Sequence, residues 1–277
     1  MFFLNSGAEA NETAIKLARK YGNVTFKNPK YKIITIKNSF HGRTIATLKA
    51  TAQEDKHKYF APYPDGFVYA NDINEAINMI DDTTVGVMLE LIQGEGGIFM
   101  QDIFQVQRLE RILKEKKLLL IIDEVQTGVY RSGNFLISQY FGIKPDIVTL
   151  AKGLASGIPI GVMMTSLKDI FTFGDHGSTF GGNHLSTTVC KAVLKILEKY
   201  SNSGKLSENI KYFNSCLQYF TDKYPNIFLQ KNGWGFMQGL VLKNENDLSN
   251  IVNFALKNGV LVLKSGKNII RFLPPIV

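Results

Sequence analysis

With 277 residues, 45% of them hydrophobic, and 24 glycines, the chain is long enough to bury a sizeable core and to form one large or two modest domains. Its net charge of +8 and pI near 9.3 would suit a polyanion, but the lysines are scattered, through Lys191 to Lys267 and elsewhere, without interleaved aromatics, which argues against nucleic-acid binding. Cys190 and Cys216 stand far apart in neither metal nor redox spacing, as in a reducing cytoplasm, and no apolar run reaches membrane-spanning length, so neither a metal site nor a membrane partner is expected.

The chain opens on an apolar run, Met1 to Leu4, too short for a signal peptide and lacking the preceding charge. Ser6 and Glu9 follow in capping-box spacing, in which the serine oxygen accepts from the N3 amide while the glutamate reaches back to Ser6. Ala14, Leu17, Ala18 and Tyr21 then recur at helical spacing, and Gly22 reads as the helix stop. Gly7 and Ala8, the first helical residues, combine free amides with little side chain, so an anion can approach closely; a plain structural cap accounts for the spacing equally well. Tyr31 to Lys37 reads as a β-branched strand leading into the turn NSFHGRT, where Phe40 could plug the core and His41 could be an ordinary hydrogen-bonded histidine. Ala52 to Asp65 is loop-like, Asp72 to Ile80 a short amphipathic helix, and Thr84 to Leu89 a buried strand running into Glu90. Glu95 sits in the glycine-rich turn QGEGG, where its plainest reading is a solvated carboxylate, and Asp102 caps a helix that runs to Lys117.

Two apolar runs of strand length come next, Leu118 to Ile122 and Ile147 to Ala151, each delivering a polar residue at its C-terminal end: Asp123 and Lys152. The handedness of crossover connections makes them parallel strands of one sheet, and ligands sit outside the carboxyl ends of such strands, so both residues are expected to face one crevice. A lysine able to form a Schiff base, with a carboxylate able to keep a pyridine nitrogen protonated, is what pyridoxal 5'-phosphate (PLP) requires. Taken singly, Lys152 reads as a solvated lysine at a strand end and Asp123 as a helix cap. Pro159 to Thr165 is one more strand, Lys168 to Phe173 a short helix, and DHGSTFGGN places hydroxyls and amides between glycines. From Leu185 the character shifts. Helices at Leu185 to Tyr200 and Lys205 to Tyr224 precede strands Gly233 to Leu242, Val260 to Leu263 and Asn268 to Leu273 around a helix from Asp247 to Lys257, which makes a smaller α+β domain.

In order, spacing and wording, DEVQTGVYRSG, PDIVTLAKGLASGIPIG and HGSTFGGN resemble the class III PLP-dependent aminotransferases, most closely the acetylornithine aminotransferases, and the resemblance runs from FFLNSGAEANETAIKLAR to IIRFLPP. It implies an α/β fold, the PLP-dependent transferase fold type I: a PLP-binding large domain, residues 1–185, on a mostly parallel sheet, and a C-terminal α+β small domain, residues 186–277, in a homodimer with shared active sites. By the same resemblance Lys152 is the catalytic lysine carrying PLP, Asp123 stabilises its pyridinium, Gln126 bonds its O3', and Phe40 stacks on its ring. Gly7 and Ala8 hold the phosphate together with Thr179, which reaches across from the neighbouring subunit. Arg43 grips the far carboxylate of the substrate with its planar fork, Ser178 lies at the substrate, and Glu95 pairs with Arg271 until glutamate's α-carboxylate displaces it. The implied reaction moves the δ-amino group of N2-acetylornithine to 2-oxoglutarate in cytoplasmic arginine biosynthesis. Ornithine, 4-aminobutyrate or succinylornithine transamination, or a catalytically incompetent fragment, are the alternatives. Family members carry a substantial segment before this first motif and continue past the last, so the chain looks shortened at its N-terminus and slightly at its C-terminus. Leu91 and His184 stand where the family has proline, which bears on local backbone only.

Overall fold

The computed structural model describes residues 1–277 and follows the apolar periodicities of the chain closely. It forms β1 (Phe2–Leu4), α1 (Gly7–Thr25), β2 (Lys32–Ile36), α2 (Ile45–Ala50), β3 (Phe67–Ala70), α3 (Ile73–Asn78), β4 (Thr84–Leu89), β5 (Ile92–Gln93), β6 (Phe99–Met100) and α4 (Ile103–Glu115). Then come β7 (Leu119–Asp123), α5 (Ile137–Phe141), β8 (Ile147–Leu150), β9 (Gly161–Thr165), α6 (His184–Asn202) and α7 (Lys205–Lys223). The remainder is β10 (Phe228–Trp234), β11 (Met237–Leu242), α8 (Asp247–Lys257), β12 (Leu263–Ser265) and β13 (Ile269–Phe272). No helix is long and apolar enough to cross a membrane.

Side-chain caps set several helix starts. Ser6, Asp72, Asp102 and Asn183 accept from the amides of Glu9, Glu75, Gln105 and Ser186 at the heads of α1, α3, α4 and α6, each such cap contributing about 1 kcal/mol. Glu9 departs from the expected box: its Oε2 accepts from the backbone and side-chain amides of Asn5, at 2.7 and 2.9 Å, because Asn5 presents two donors on one approach. Gly22 does not end α1 either. A Cβ there would stand 1.9 Å from the Lys30 carbonyl oxygen, so the glycine admits the close passage of the returning chain rather than a reversal of direction. The helix expected from Lys168 to Phe173 does not form, since Asp169 adopts a left-handed φ of 56° that an α-helical run cannot accommodate.

The main sheet has the order β1-β9-β8-β7-β4-β2-β3. From β8 to β3 neighbouring strands are all parallel; β9 pairs antiparallel with β8, and β1 antiparallel with β9, so β1 points the same way as the parallel set. Both faces are covered. In β7, Leu119 and Ile121 join the core that includes Ala14, Leu17 and Ala18 of α1, whereas Leu120 and Ile122 join Val106, Leu109 and Leu113 of α4. Burial on both faces is why the strand reads as a continuous apolar run rather than an alternation. The chain leaves β2 for β3 on one side and returns to β4 on the other, the kind of reversal beside which α/β sheets open a crevice.

The second sheet, β10-β11-β13-β12, is antiparallel throughout. The single strand expected from Gly233 to Leu242 is instead the second half of a hairpin that turns at Gly235, whose φ is 61°. Met237, Val241 and Ile269 enter the same core as α4, so this sheet packs against the α4 side of the main sheet. Helix α6 rests through Cys190 and Leu197 on Leu150, Leu154, Ala155 and Val162.

Candidate active site

Because β1, β2, β4, β7 and β8 share one direction, their carboxyl ends release side chains at one edge. β1 leads into Asn5 to Ala8, β2 into Phe40 to Arg43, β4 into Glu90 and Glu95, β7 ends on Asp123 just before Gln126, and β8 leads into Lys152. Antiparallel β9 begins at that same edge, after Ile158, Pro159 and Ile160. All these residues line one cavity of about 510 Å³. Of the residues singled out by sequence, Gly7, Ala8, Phe40, Arg43, Glu95, Asp123, Gln126 and Lys152 are thus together. Ser178 and Thr179 line an adjoining groove with Glu9, Glu12 and His176. Asn5 borders both spaces and donates from Nδ2 to Ser178 Oγ at 3.1 Å.

Asp123 is 4% exposed and held by three donors. Its Oδ2 accepts from Asn11 Nδ2 at 2.7 Å and faces His41 Nδ1 at 2.8 Å, and its Oδ1 accepts from the Val125 amide at 3.0 Å. Asn11 spends its other N–H on the His41 carbonyl at 2.7 Å and accepts from Thr149 Oγ1 at 2.7 Å. The carboxylate is therefore fixed by α1, β8 and the loop after β2 together. Its neighbour Glu124 points the other way, fully buried, and accepts from the Ile137 and Ser138 amides and the Ser138 and Thr127 hydroxyls. Burial pushes the Glu124 carboxyl up from its ordinary range. It anchors α5, so adjacent acids serve the cavity and the scaffold respectively.

Lys152 follows the end of β8 with a left-handed φ of 48°, a conformation that costs a non-glycine residue about 1–2 kcal/mol. The buried Leu154 and Ala155 hold the 3-10 turn that imposes it. Across the cavity, Glu90 is buried and its two oxygens accept from the Phe40 amide at 2.8 Å and the Gly94 amide at 3.2 Å, tying the loop after β2 to the loop after β4. Desolvation, reinforced by the Asp123 charge, raises its pKa to about 7. Gln126 Oε1 is buried without a partner, and Gly94 leaves it room: a Cβ at Gly94 would fall 1.5 Å from that oxygen.

Glu95 does not make the expected pair with Arg271. Its Oε2 accepts from Lys56 Nζ at 2.8 Å, because the 3-10 turn Glu54–His57 brings that ammonium alongside, while Arg271 Nη1 donates to the Gly94 carbonyl at 3.0 Å and its Nε is buried without a partner. Lys56 lowers the Glu95 pKa against the opposing effect of burial. The guanidinium of Arg43 and the ammonium of Lys56 lie 5.8 and 4.8 Å from the Phe40 ring centroid.

Asn11, His41, Glu90 and Lys56 were not assigned roles from sequence. Asn11 had a readable signal: it precedes Ala14, Ile15 and Ala18 on the buried face of α1, where a polar side chain needs a partner. The cavity fits a flat, phosphate-bearing cofactor such as PLP. It offers an amine at Lys152, a fixed carboxylate at Asp123, a carboxamide with an unpartnered buried oxygen at Gln126, and the first amides of a 19-residue helix at Gly7 and Ala8.

The family described as Aminotransferase class-III matches this chain over residues 1–277. The chain is 53% identical over 277 residues to the acetylornithine aminotransferase of Wolinella succinogenes, covering all of itself and 70% of that protein. It is 44% identical over 283 residues to the acetylornithine aminotransferase of Caldanaerobacter subterraneus, covering 71% of it. Its fold is similar to that of the ornithine aminotransferase from Toxoplasma gondii, which shows partial occupancy of PLP at the active site: the TM-score is 0.91 at 29% identity, over 100% of this chain and 68% of that one.

Proposed function

The chain belongs to the class-III aminotransferases, which are PLP-dependent, and on that premise we propose that it moves the δ-amino group of N2-acetylornithine to 2-oxoglutarate, giving the semialdehyde and glutamate in arginine biosynthesis. The observation that carries the reading is the meeting of Lys152, Asp123 and Gln126 at one cavity beside the head of α1. The names of the relatives support the substrate.

Bound PLP supplies an electron sink that lets a C–H bond beside the substrate nitrogen ionise. Lys152 would hold the cofactor through Nζ and, once displaced by the substrate amine, take the proton from the substrate carbon that bears nitrogen. Asp123, oriented by Asn11, His41 and the Val125 amide, would accept the hydrogen bond of the ring N–H with the lone pairs those donors leave to it. The Gly7 and Ala8 amides would hold the phosphate at the positive end of α1, Phe40 would lie against the ring, and Gln126 would bond the phenolic oxygen. Arg43 is the group for the far carboxylate of the substrate, and Arg271 and Glu95 govern its α-carboxylate. Thr179, in the adjoining groove, would reach the phosphate in the cavity of a second copy and Ser178 would lie at the substrate, which would make the active form a homodimer. Residues 1–185 then form the cofactor-binding domain and 186–277 the small domain of a cytoplasmic enzyme.

The test is glutamate formation from 2-oxoglutarate by the purified, PLP-loaded chain, with N2-acetylornithine, ornithine or 4-aminobutyrate as donor. Acetylornithine should give the highest kcat/KM, and Lys152→Ala should abolish turnover. A preference for another donor would overturn the substrate, and turnover surviving in Lys152→Ala would overturn the site.

A further inference from the structure

Glu95 stands on a wall between two spaces. On one side is the cavity of Lys152; on the other is a cavity of about 900 Å³ lined by Lys37, Lys56, Tyr69 and Lys267 among others, and Glu95 borders both. Lys56 borders only the second, yet its Nζ holds Glu95 Oε2 at 2.8 Å. Arg271 is fastened one residue away, with Nη1 on the Gly94 carbonyl at 3.0 Å and a buried Nε lacking any partner. Glu95 and Arg271 influence each other's charge in opposite senses from that distance without forming an ion pair. Three cations, Lys56, Arg271 and Arg43, therefore act on one carboxylate, and the structure engages the one that borders only the outer cavity.

We propose that Lys56 is a positioning residue that sets substrate affinity: by holding Glu95 toward the outer cavity it keeps the Arg271 guanidinium uncompensated and available to a substrate carboxylate. The inference deepens the aminotransferase reading, since it concerns how that site receives a dicarboxylate. The physical basis is competition. After the Lys56 ammonium, the cation that acts most strongly on Glu95 is Arg271, ahead of Arg43, so without Lys56 the carboxylate turns to Arg271 and an incoming carboxylate has to displace a charge-assisted pair before it binds. Lys56 is not among the residues that line the reaction cavity, which it adjoins through Glu95 and the Phe40 ring, so its effect on the substrate passes through Glu95. Its side chain is 28% exposed, so a neutral replacement of similar length leaves no buried charge unpaired.

The experiment is a double-mutant cycle on the PLP-loaded chain, with glutarate as a non-reacting dicarboxylate titrated by calorimetry. Lys56→Met should weaken glutarate by about fivefold, the size of one partly exposed charge pair, and raise KM for 2-oxoglutarate in step with little change in kcat. In a Glu95→Gln background the same Lys56→Met change should shift affinity less than twofold, and Lys56→Arg should preserve wild-type binding. Equal losses in both backgrounds would mean Lys56 meets the substrate directly and would overturn the proposal, as would unchanged binding in Lys56→Met or failure of the wild type to bind glutarate. Glutarate binding does not depend on the amino donor, so a failure to use acetylornithine would overturn the substrate assignment while this cycle still reads Lys56.

Discussion

Asn11→Asp replaces one hydrogen-bond donor with an acceptor of the same shape at the centre of the site. In the native chain Nδ2 donates to Asp123 Oδ2 and to the His41 carbonyl, both at 2.7 Å, and the residue is 1% exposed, so water has little access. The substitution removes a bond to a charged acceptor, worth about 2 kcal/mol, and one to a neutral carbonyl, worth about 1 kcal/mol, and leaves oxygens facing oxygens. A loss of about 3–4 kcal/mol follows at neutral pH, which for a chain of this size lowers Tm by roughly 8–12 °C. The pH dependence has a definite sign. Two carboxyls in contact hold a proton more tightly folded than unfolded, so the mutant's stability is fullest below the unfolded carboxyl pKa and is lost as pH rises through the raised folded one. Thermal melts followed by circular dichroism at pH 5 and pH 8 should show a gap from wild type that widens with pH, and PLP titrations should show weakened binding at pH 8. A constant gap, or one that widens toward acid, would refute the view that Asn11 acts as a donor to an ionised Asp123.

Glu90→Gln probes the other buried acid. Because the folded pKa of Glu90 is raised to about 7, wild type loses stability between the unfolded value and that pH, and the glutamine chain, which has no proton to lose, should gain on it from pH 5 to pH 8 by roughly 2 kcal/mol; parallel urea-denaturation stabilities across that range would contradict the assignment. Gly94→Ala puts a methyl group 1.5 Å from Gln126 Oε1 and should drive that side chain from its place. PLP absorbance titration should then show weaker binding, with the circular dichroism spectrum unchanged, and wild-type PLP affinity would mean that Gln126 makes no cofactor contact.

The sequence alone carried the elements whose signals are local. Asp102 and the apolar positions of α4, the span of α8, and the apolar runs of β4, β7 and β8 are legible because capping chemistry and periodicity act within a few residues. Asp123 and Lys152 were legible for a topological reason: parallel strands place their last residues at a common edge. The losses occurred where a distant segment decides. Gly22 resembles a stop until the Lys30 carbonyl is seen against it, and β10 is too polar and half-exposed to stand out until β11 pairs with it. The same holds within the site. Which of the paired acids Asp123 and Glu124 faces the cavity depends on what packs beyond the end of β7, and whether Glu95 takes Lys56 or Arg271 depends on where a turn some 40 residues upstream comes to rest. Charge partners are chosen by distance in space, which sequence separation does not encode, so the chemistry of the site was readable from its residue types while its pairings belonged to the tertiary fold.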